Sequence, residues 1–246
     1  MLPVIGVVGA LLMLPLPASA PHAGLPIIGY PLKMPFSGYL WNVRHSSVPT
    51  APGPNLFVAT NAYPDISGAM HLKVTPDPFG QWGAAQLDSD QSMGYGTYTW
   101  TIGTPLSDFD RNMVLGLFTS SPSATDSSRE IDIEISRWGR TNEAKPAQFV
   151  VQPASAKGHL VRVNAPSSSS STLQFVWQKG RVDFTMLDAG RVIERWTFKG
   201  SSVPEEGLNR VSMNLWLASG QPPSDNATFE VIIKKFSFCA IGATCG

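Results

Sequence analysis

The sequence predicts an all-β protein folded as a two-sheet sandwich. Glycine (22) and proline (21) are abundant, and with many Ser and Thr they mark frequent turns. No long segment carries apolar residues at helical spacing. Short stretches of alternating or β-branched residues recur instead, separated by turn clusters, which is the pattern of a sandwich. A chain of 246 residues fits one such domain. At that length roughly 70% of the unfolded surface is buried on folding, so the core needs no cross-links.

Residues 1–20 read as a secretory signal. An apolar run from Val4 to Leu16 precedes Ala18-Ser19-Ala20, small residues at the spacing of a cleavage site. No Lys or Arg precedes the run and Pro21 follows the expected scissile bond, so cleavage after Ala23 is the alternative. The run is short for a bilayer span and is interrupted by Pro15 and Pro17, so no membrane anchor is expected once it is removed. The protein is expected to be secreted, extracellular or periplasmic, and monomeric.

Residues 21–54 form a Pro/Gly-rich segment with a first strand at Gly38 to Asn42 and a loop at Val48 to Asn55. A jelly-roll-sized domain then spans 55–238. Its expected strands are Leu56 to Thr60, Ala69 to Val74, Trp82 to Leu87, Tyr95 to Ile102, Met113 to Thr119 and an acidic strand from Arg129 to Ser136. Ala147 to Gln152, Leu160 to Asn164, Leu173 to Gln178, Arg181 to Leu187, Arg191 to Phe198, Val211 to Leu217 and Thr228 to Phe238 follow. Ser167 to Ser171 is a polar loop. The tail, 239–246, holds the only cysteines, Cys239 and Cys245. They either close a small terminal loop, as an exported protein permits, or remain free thiols.

Charge narrows the partners. With 18 basic and 18 acidic residues the net charge is zero, and no basic run or stripe marks a nucleic-acid or anionic-membrane surface. His22, His45, His71 and His159 are scattered, and no Cys and His spacing suggests zinc. No Gly-rich phosphate loop is present. No cofactor is expected, with a structural calcium the one metal left open. The Asn226-Ala-Thr228 sequon matters only in a glycosylating host.

The most informative stretch is Glu130-Ile-Asp-Ile-Glu134. A strand sends successive side chains to opposite faces, so Ile131, Ile133 and Ile135 face a core while Glu130, Asp132 and Glu134 share the other side. Anions about 6.6 Å apart along a strand repel and gain nothing from packing. Retaining glycoside hydrolysis gives such an arrangement a use, since it needs one carboxyl to attack the anomeric carbon and a second, about 5 to 5.5 Å away, to protonate the leaving oxygen. The α-carbons of Glu130 and Glu134 are about 13 Å apart in an extended strand, and two Glu side chains leaning together on a concave sheet close most of that gap. Asp132 between them can hydrogen-bond the first Glu and hold the two pKa values apart. A solvated acidic edge strand and a calcium site are the rival readings.

Asn214 and Trp216 share a strand face, an amide for hydroxyls beside an indole for a sugar ring, or else a turn-capping Asn beside a core Trp. Trp138 has the parity of the three acids and offers a further stacking platform if the strand runs that far. Trp41, Trp82, Trp100, Trp177 and Trp196 are expected to pack in the core or on the surface.

The acidic motif resembles the catalytic motif of glycoside hydrolase family 16, in the form without an inserted residue that is seen in its licheninase-like branch. That resemblance implies a concanavalin A-like jelly roll with a concave substrate cleft. Other stretches resemble the branch in the same order along residues 55–238. Gly94-Tyr-Gly-Thr-Tyr98 is similar to its YGxY stretch, Gln148-Phe149 to a Gln-Phe pair, Phe175-Val-Trp177 with Val182-Asp-Phe184 to its Trp hairpin, and Met213-Asn-Leu-Trp216 to its NLW segment. The resemblance implies Glu130 as nucleophile, Glu134 as general acid and base, Asp132 as their tuner, and Asn214, Trp216, Gln148 and Gln86 as substrate contacts.

The sequence departs from the branch at four positions. Ser128 replaces a Trp two residues before the nucleophile, Gln86 a common Glu, Val150 an Asn after the Gln-Phe pair, and Ser171 a His before the hairpin Trp. The acids are kept while the sugar-binding shell is altered, so licheninase specificity does not follow. The expectation is a secreted retaining glycosidase acting on a β-glucan-like or related polysaccharide. A transglycosylase and a non-catalytic lectin-like module on the same fold are the alternatives.

Overall fold

A computed structural model describes residues 28–121 and 129–245. The expected signal at 1–20, the cleavage positions around Pro21 and Ala23, and Ser128 lie outside the described residues. The strands are β1 (Ile28–Phe36), β2 (Tyr39–Ser46), β3 (Leu56–Phe57), β4 (Ala62–Pro64), β5 (Met70–Pro76), β6 (Trp82–Ser89), β7 (Gly96–Ile102) and β8 (Met113–Ser120). They continue as β9 (Ile131–Ser136), β10 (Ala147–Val151), β11 (Leu160–Val163), β12 (Ser171–Gln178), β13 (Arg181–Asp188), β14 (Arg191–Lys199), β15 (Arg210–Leu217) and β16 (Phe229–Ala240).

The front sheet runs β11-β10-β9-β8-β15-β6-β2-β1, and the back sheet β14-β13-β12-β7-β16-β5-β4. A short pairing, Thr75 with Gly83 and Pro76 with Trp82, joins the two at one edge. The expected jelly-roll sandwich is therefore present, with its sheets continuous through β5 and β6. Among the described residues no helix is long and apolar enough to cross a membrane.

Period-two patterning builds the core. Ile131, Ile133, Ile135, Leu115, Leu117, Met213 and Leu215 point inward from the front sheet, and Tyr98, Trp100, Phe175, Trp177 and Met186 from the back; all are fully buried. Aromatic contacts tie the layers together. Phe149 of β10 stacks on Phe184 of β13 with ring centroids 4.9 Å apart, and Trp41 of β2 meets Phe236 of β16 edge-on at 5.4 Å. Trp41, Trp100 and Trp177 are core residues, while Trp82 and Trp196 pack partly buried against it.

The N-terminal region differs from its sequence reading. Ser37 and Gly38, at φ 54° and 82°, form a two-residue hairpin turn whose left-handed geometry suits Gly, so the strand predicted from Gly38 starts at Tyr39. Before the turn lies β1, unexpected because Gly29, Pro31 and Pro35 punctuate it. It is an edge strand, where a missing N–H costs no ladder bond, and its register shifts between Gly29 and Leu32. Through β2, which pairs Trp41 with Ser89 and Val43 with Leu87 of β6, this hairpin extends the front sheet. The acidic strand begins at Ile131, just after Glu130. Cys239 and Cys245 form a disulfide.

On the back sheet a charged cluster ties β16 to β5 and the β4–β5 turn. His71 contacts Glu230 through Nδ1 at 2.7 Å and Asp65 through Nε2 at 3.1 Å, with its ring stacked on Tyr63 at 4.9 Å. Burial lowers the His71 pKa, but the hydrogen bonds to Glu230 and Asp65 outweigh it and the net shift is upward. Asp65, bonded by Ser67 and His71, lies well below the usual carboxylate range. Burial raises Glu230, and its bonds to His71 and Lys73 bring it below its ordinary value. The histidine contribution is full below about pH 6.5 and is lost as pH rises through its elevated pKa; the carboxylate contributions are present above about pH 4 and are lost as pH falls. His71→Phe, which keeps the ring stack, should therefore depress Tm most between about pH 4.5 and 6.5, with the deficit narrowing on either side. Thermal melts of both proteins across pH test this, and a deficit independent of pH would sink it.

Candidate active site

Strand β9 places its isoleucines in the core and its acids on the front face, where Gly116 and Phe118 of β8 stand opposite Glu134 and Asp132. Farther along that face come Asn214 of β15, opposite Gly116, and then Gln86 of β6, opposite Asn214. Glu130, Asp132, Glu134, Asn214, Trp216 and Gln86 line one cavity of about 290 Å³. Five front-sheet strand positions and the residue that enters β9 thus converge on one cavity.

The three acids do not ionise alike. Asp132 is 2% exposed, and burial, followed by the charges of Glu130 and Glu134, holds its pKa well above the carboxylate range. The hydrogen bond with Glu130 favours its protonated form, and Asp132 accepts from Gln152 Nε2 at 3.0 Å. Burial also raises Glu130, while the bonds from Asp132 and Gln152 favour its charged form. Glu134 is pushed up to about 7, chiefly by burial and further by the Glu130 charge, against the pull of Gln148 and Arg162. Like charges in a desolvated site separate in this way because they cannot all ionise together. Among the described residues no three His, Cys, Asp or Glu are grouped to hold a metal ion.

Gln148, expected to contact substrate, is occupied. Its Nε2 donates to Glu134 and its Oε1 accepts from Arg162 Nη1 at 2.9 Å. Arg162 also donates to the Ser136 carbonyl at 2.9 Å and lies 3.4 Å from Glu143. Gln148 thus positions Glu134. Gln86 accepts from Arg44 Nη1 at 2.8 Å and donates to Asp88 at 3.0 Å. Asn214 is 3% exposed, and its Oδ1 finds no donor among the described residues. Trp138 does not continue the strand. β9 ends at Ser136, and Trp138 and Gly139 turn away at φ 51° and 77°. The Trp138 ring instead braces Trp216 edge-on at 5.8 Å, beside the cavity and outside its lining.

Arg44, Phe118, Ala51 and Pro52 also line the cavity, and the sequence reading did not find them. Phe118 was legible in principle, since period-two counting along β8 puts it on the front face. Arg44 lay beyond the expected end of the first strand. Pro52 arrives through Asn55, whose Nδ2 donates to the Pro52 and Leu217 carbonyls at 2.8 and 3.0 Å while its Oδ1 accepts from Leu217 N at 3.0 Å. These bonds dock the loop beside Trp216. Gly53 permits it, with φ at 69° and a hypothetical Cβ 2.7 Å from Asn55 Nδ2.

Gly116 has a comparable role, since a Cβ there would lie 2.5 Å from Asn214 Oδ1. Gly116→Ala should cost about 1–3 kcal/mol of stability through overpacking, and less in an Asn214→Ala background. Urea denaturation of the double-mutant cycle measures this coupling; strictly additive costs would show that the two positions do not meet.

No family model matches the sequence, and no curated protein matches it. Solved structures do resemble the fold. A Bacillus licheniformis β-glucanase is 20% identical with a TM-score of 0.64, the alignment covering 88% of this chain and 99% of that one. A prokaryotic β-1,3-1,4-glucanase (lichenase) from a mouse hindgut metagenome is 17% identical with a TM-score of 0.60, covering 87% and 97%. A glycoside hydrolase family 16 endo-glucanase from Bacteroides ovatus is 10% identical with a TM-score of 0.61, covering 81% and 94%. At these identities the likeness is one of fold, and the chain has the jelly-roll sandwich of these glucanases.

Proposed function

We propose that the protein is a glycoside hydrolase that cleaves β-glycosidic bonds within a polysaccharide by retaining double displacement. The observation that carries this reading is the convergence of Glu130, Asp132 and Glu134 on one face of a cavity wall, where burial raises the pKa of all three and brings Glu134 to about 7. Glu130 attacks the anomeric carbon as Glu134 donates its proton to the departing glycosidic oxygen. Glu134, now ionised, then takes a proton from water, whose oxygen attacks the anomeric carbon and releases Glu130. The Asp132 hydrogen bond orients Glu130 and offsets its charge. In this reading the edge of Trp216 that lines the cavity, braced by Trp138, meets the apolar face of a sugar ring, and Asn214 Oδ1, which finds no donor among the described residues, accepts from a sugar hydroxyl.

The three similar structures are named as glucanases, which makes β-glucan the first substrate class to test. The Cys239–Cys245 disulfide supports action outside the reducing cytosol, in keeping with the expected signal.

Reducing-end release from mixed-linkage and β-1,3-glucans should disappear in Glu130→Gln, and the first-formed product should keep the β-anomeric configuration by NMR. Glu134→Gln should lower kcat/KM by about 10²–10⁴-fold on polysaccharide. Its deficit should be smaller on aryl glycosides, whose leaving groups need no proton. Equal release by Glu130→Gln and the unaltered protein would end the proposal. Binding without turnover by either would favour a lectin-like module.

The pH dependence follows from the same groups. Glu134 must be protonated to act as acid, so activity should fall as pH rises through about 7. The Gln148 bond stabilises the charged form of Glu134. Gln148→Met should therefore move the alkaline limb of the kcat/KM profile to higher pH, and a limb that stays or moves down would contradict the assignment.

A further inference from the structure

Among the described residues that line the cavity Arg44 is the one cation, and the mechanism above makes no use of it. Its guanidinium is half-buried and fixed in place, lying 4.1 Å over the ring of Phe57. Two hydrogen bonds hold it, Nη1 to Gln86 Oε1 at 2.8 Å and Nη2 to Thr50 Oγ1 at 3.0 Å. Both acceptors are neutral. No carboxylate lies within ion-pair distance of it among the described residues. The nearby Asp88 is engaged by Gln86 Nε2 at 3.0 and 3.3 Å and by the Tyr30 hydroxyl.

A partly buried cation loses hydration, and neutral acceptors restore little of it. Burial accordingly lowers the Arg44 pKa, against the smaller influences of Tyr30 and Asp88. The identity of residue 86 controls this balance. A carboxylate there would sit where the amide oxygen now lies, 2.8 Å from Nη1, and would neutralise the guanidinium; Gln86 leaves its charge available. A guanidinium is also a planar fork that matches the paired oxygens of a carboxylate or sulfate. Its distance along the sheet matters too. Arg44 on β2 is separated from β9 by β6, β15 and β8, so an anionic group there stands several strands from the Glu130 charge.

We propose that the Arg44 corner of the cavity is a subsite for an acidic sugar, one bearing a carboxylate or a sulfate ester, and that the polysaccharide substrate is anionic. This deepens the hydrolase reading and rests on it for the word substrate; the binding claim stands by itself.

The test is affinity electrophoresis in a Glu130→Gln background, which separates binding from turnover. The probes are a β-1,3-glucan and its C6-oxidised uronate form, and a sulfated galactan and its desulfated form. Retardation should be at least about tenfold stronger on one charged member than on its neutral parent, and should weaken with added salt. Gln86→Glu should erase that preference, and Arg44→Gln should do the same. The pair that discriminates tells carboxylate from sulfate. Equal retardation within both pairs would overturn the proposal, as would a charge preference that survives both substitutions. Tm values for the two variants show that each remains folded. Reducing-end release by the protein with Glu130 intact is scored separately. Selective binding of an acidic glycan without turnover of any would leave the subsite standing and remove the hydrolase reading; turnover of neutral glucan without charge preference would do the reverse.

Discussion

The arrangement of the front face depends on the desolvation of carboxylates spaced two residues apart on a strand that is anchored by its other side. Ile131, Ile133 and Ile135 are fully buried, and their packing fixes β9 against rotation. The acids cannot then separate or turn to solvent, because moving one face of a strand moves the other. Repulsion and lost hydration must be relieved by protonation and hydrogen bonding instead. Asp132 is held well above the carboxylate range, and Glu134 rises to about 7. The chemistry proposed for the site is a consequence of that confinement.

The neighbouring strands adjust the balance. Gln148 and Arg162 both favour the charged form of Glu134, so β10 and β11 keep its pKa from climbing further. Gln152, just beyond β10, donates to Asp132 and favours the ionised form of Glu130. On the other flank Gly116 opens the room that Asn214 fills. Asn55 draws the Pro52 loop onto the end of β15, which holds Trp216. The ionisation of the acids and the shape of the opposite cavity wall are therefore set by different strands, and substitutions can alter one without the other.

Arg44 illustrates that independence. It belongs to the β1–β2 hairpin at the far side of the front sheet, and its link to the cavity runs through Gln86. A change of one carboxylate to an amide at position 86 leaves the acids of β9 untouched while changing the charge available to a ligand. The charge offered to a ligand at this corner and the ionisation of the β9 acids are thus set by separate residues.

Local patterning was enough to read off the sandwich, most of its strands and the grouping of Glu130, Asp132 and Glu134. Each of these rests on local period-two alternation, and Ile-Asp-Ile-Glu-Ile allows only one pairing of faces. It also placed Asn214 and Trp216 on one face, by the same counting. It missed β1, where prolines that argue against a central strand are tolerated at an edge, and it carried Trp138 two residues past the end of β9. The folded arrangement is what binds Gln148 to Glu134 and Arg162, sets Trp138 against Trp216 and brings Arg44 and Pro52 to the cavity. Those relations join residues from separate strands and loops. Sheet order and register create them, and no pattern within a single segment records which strands become neighbours.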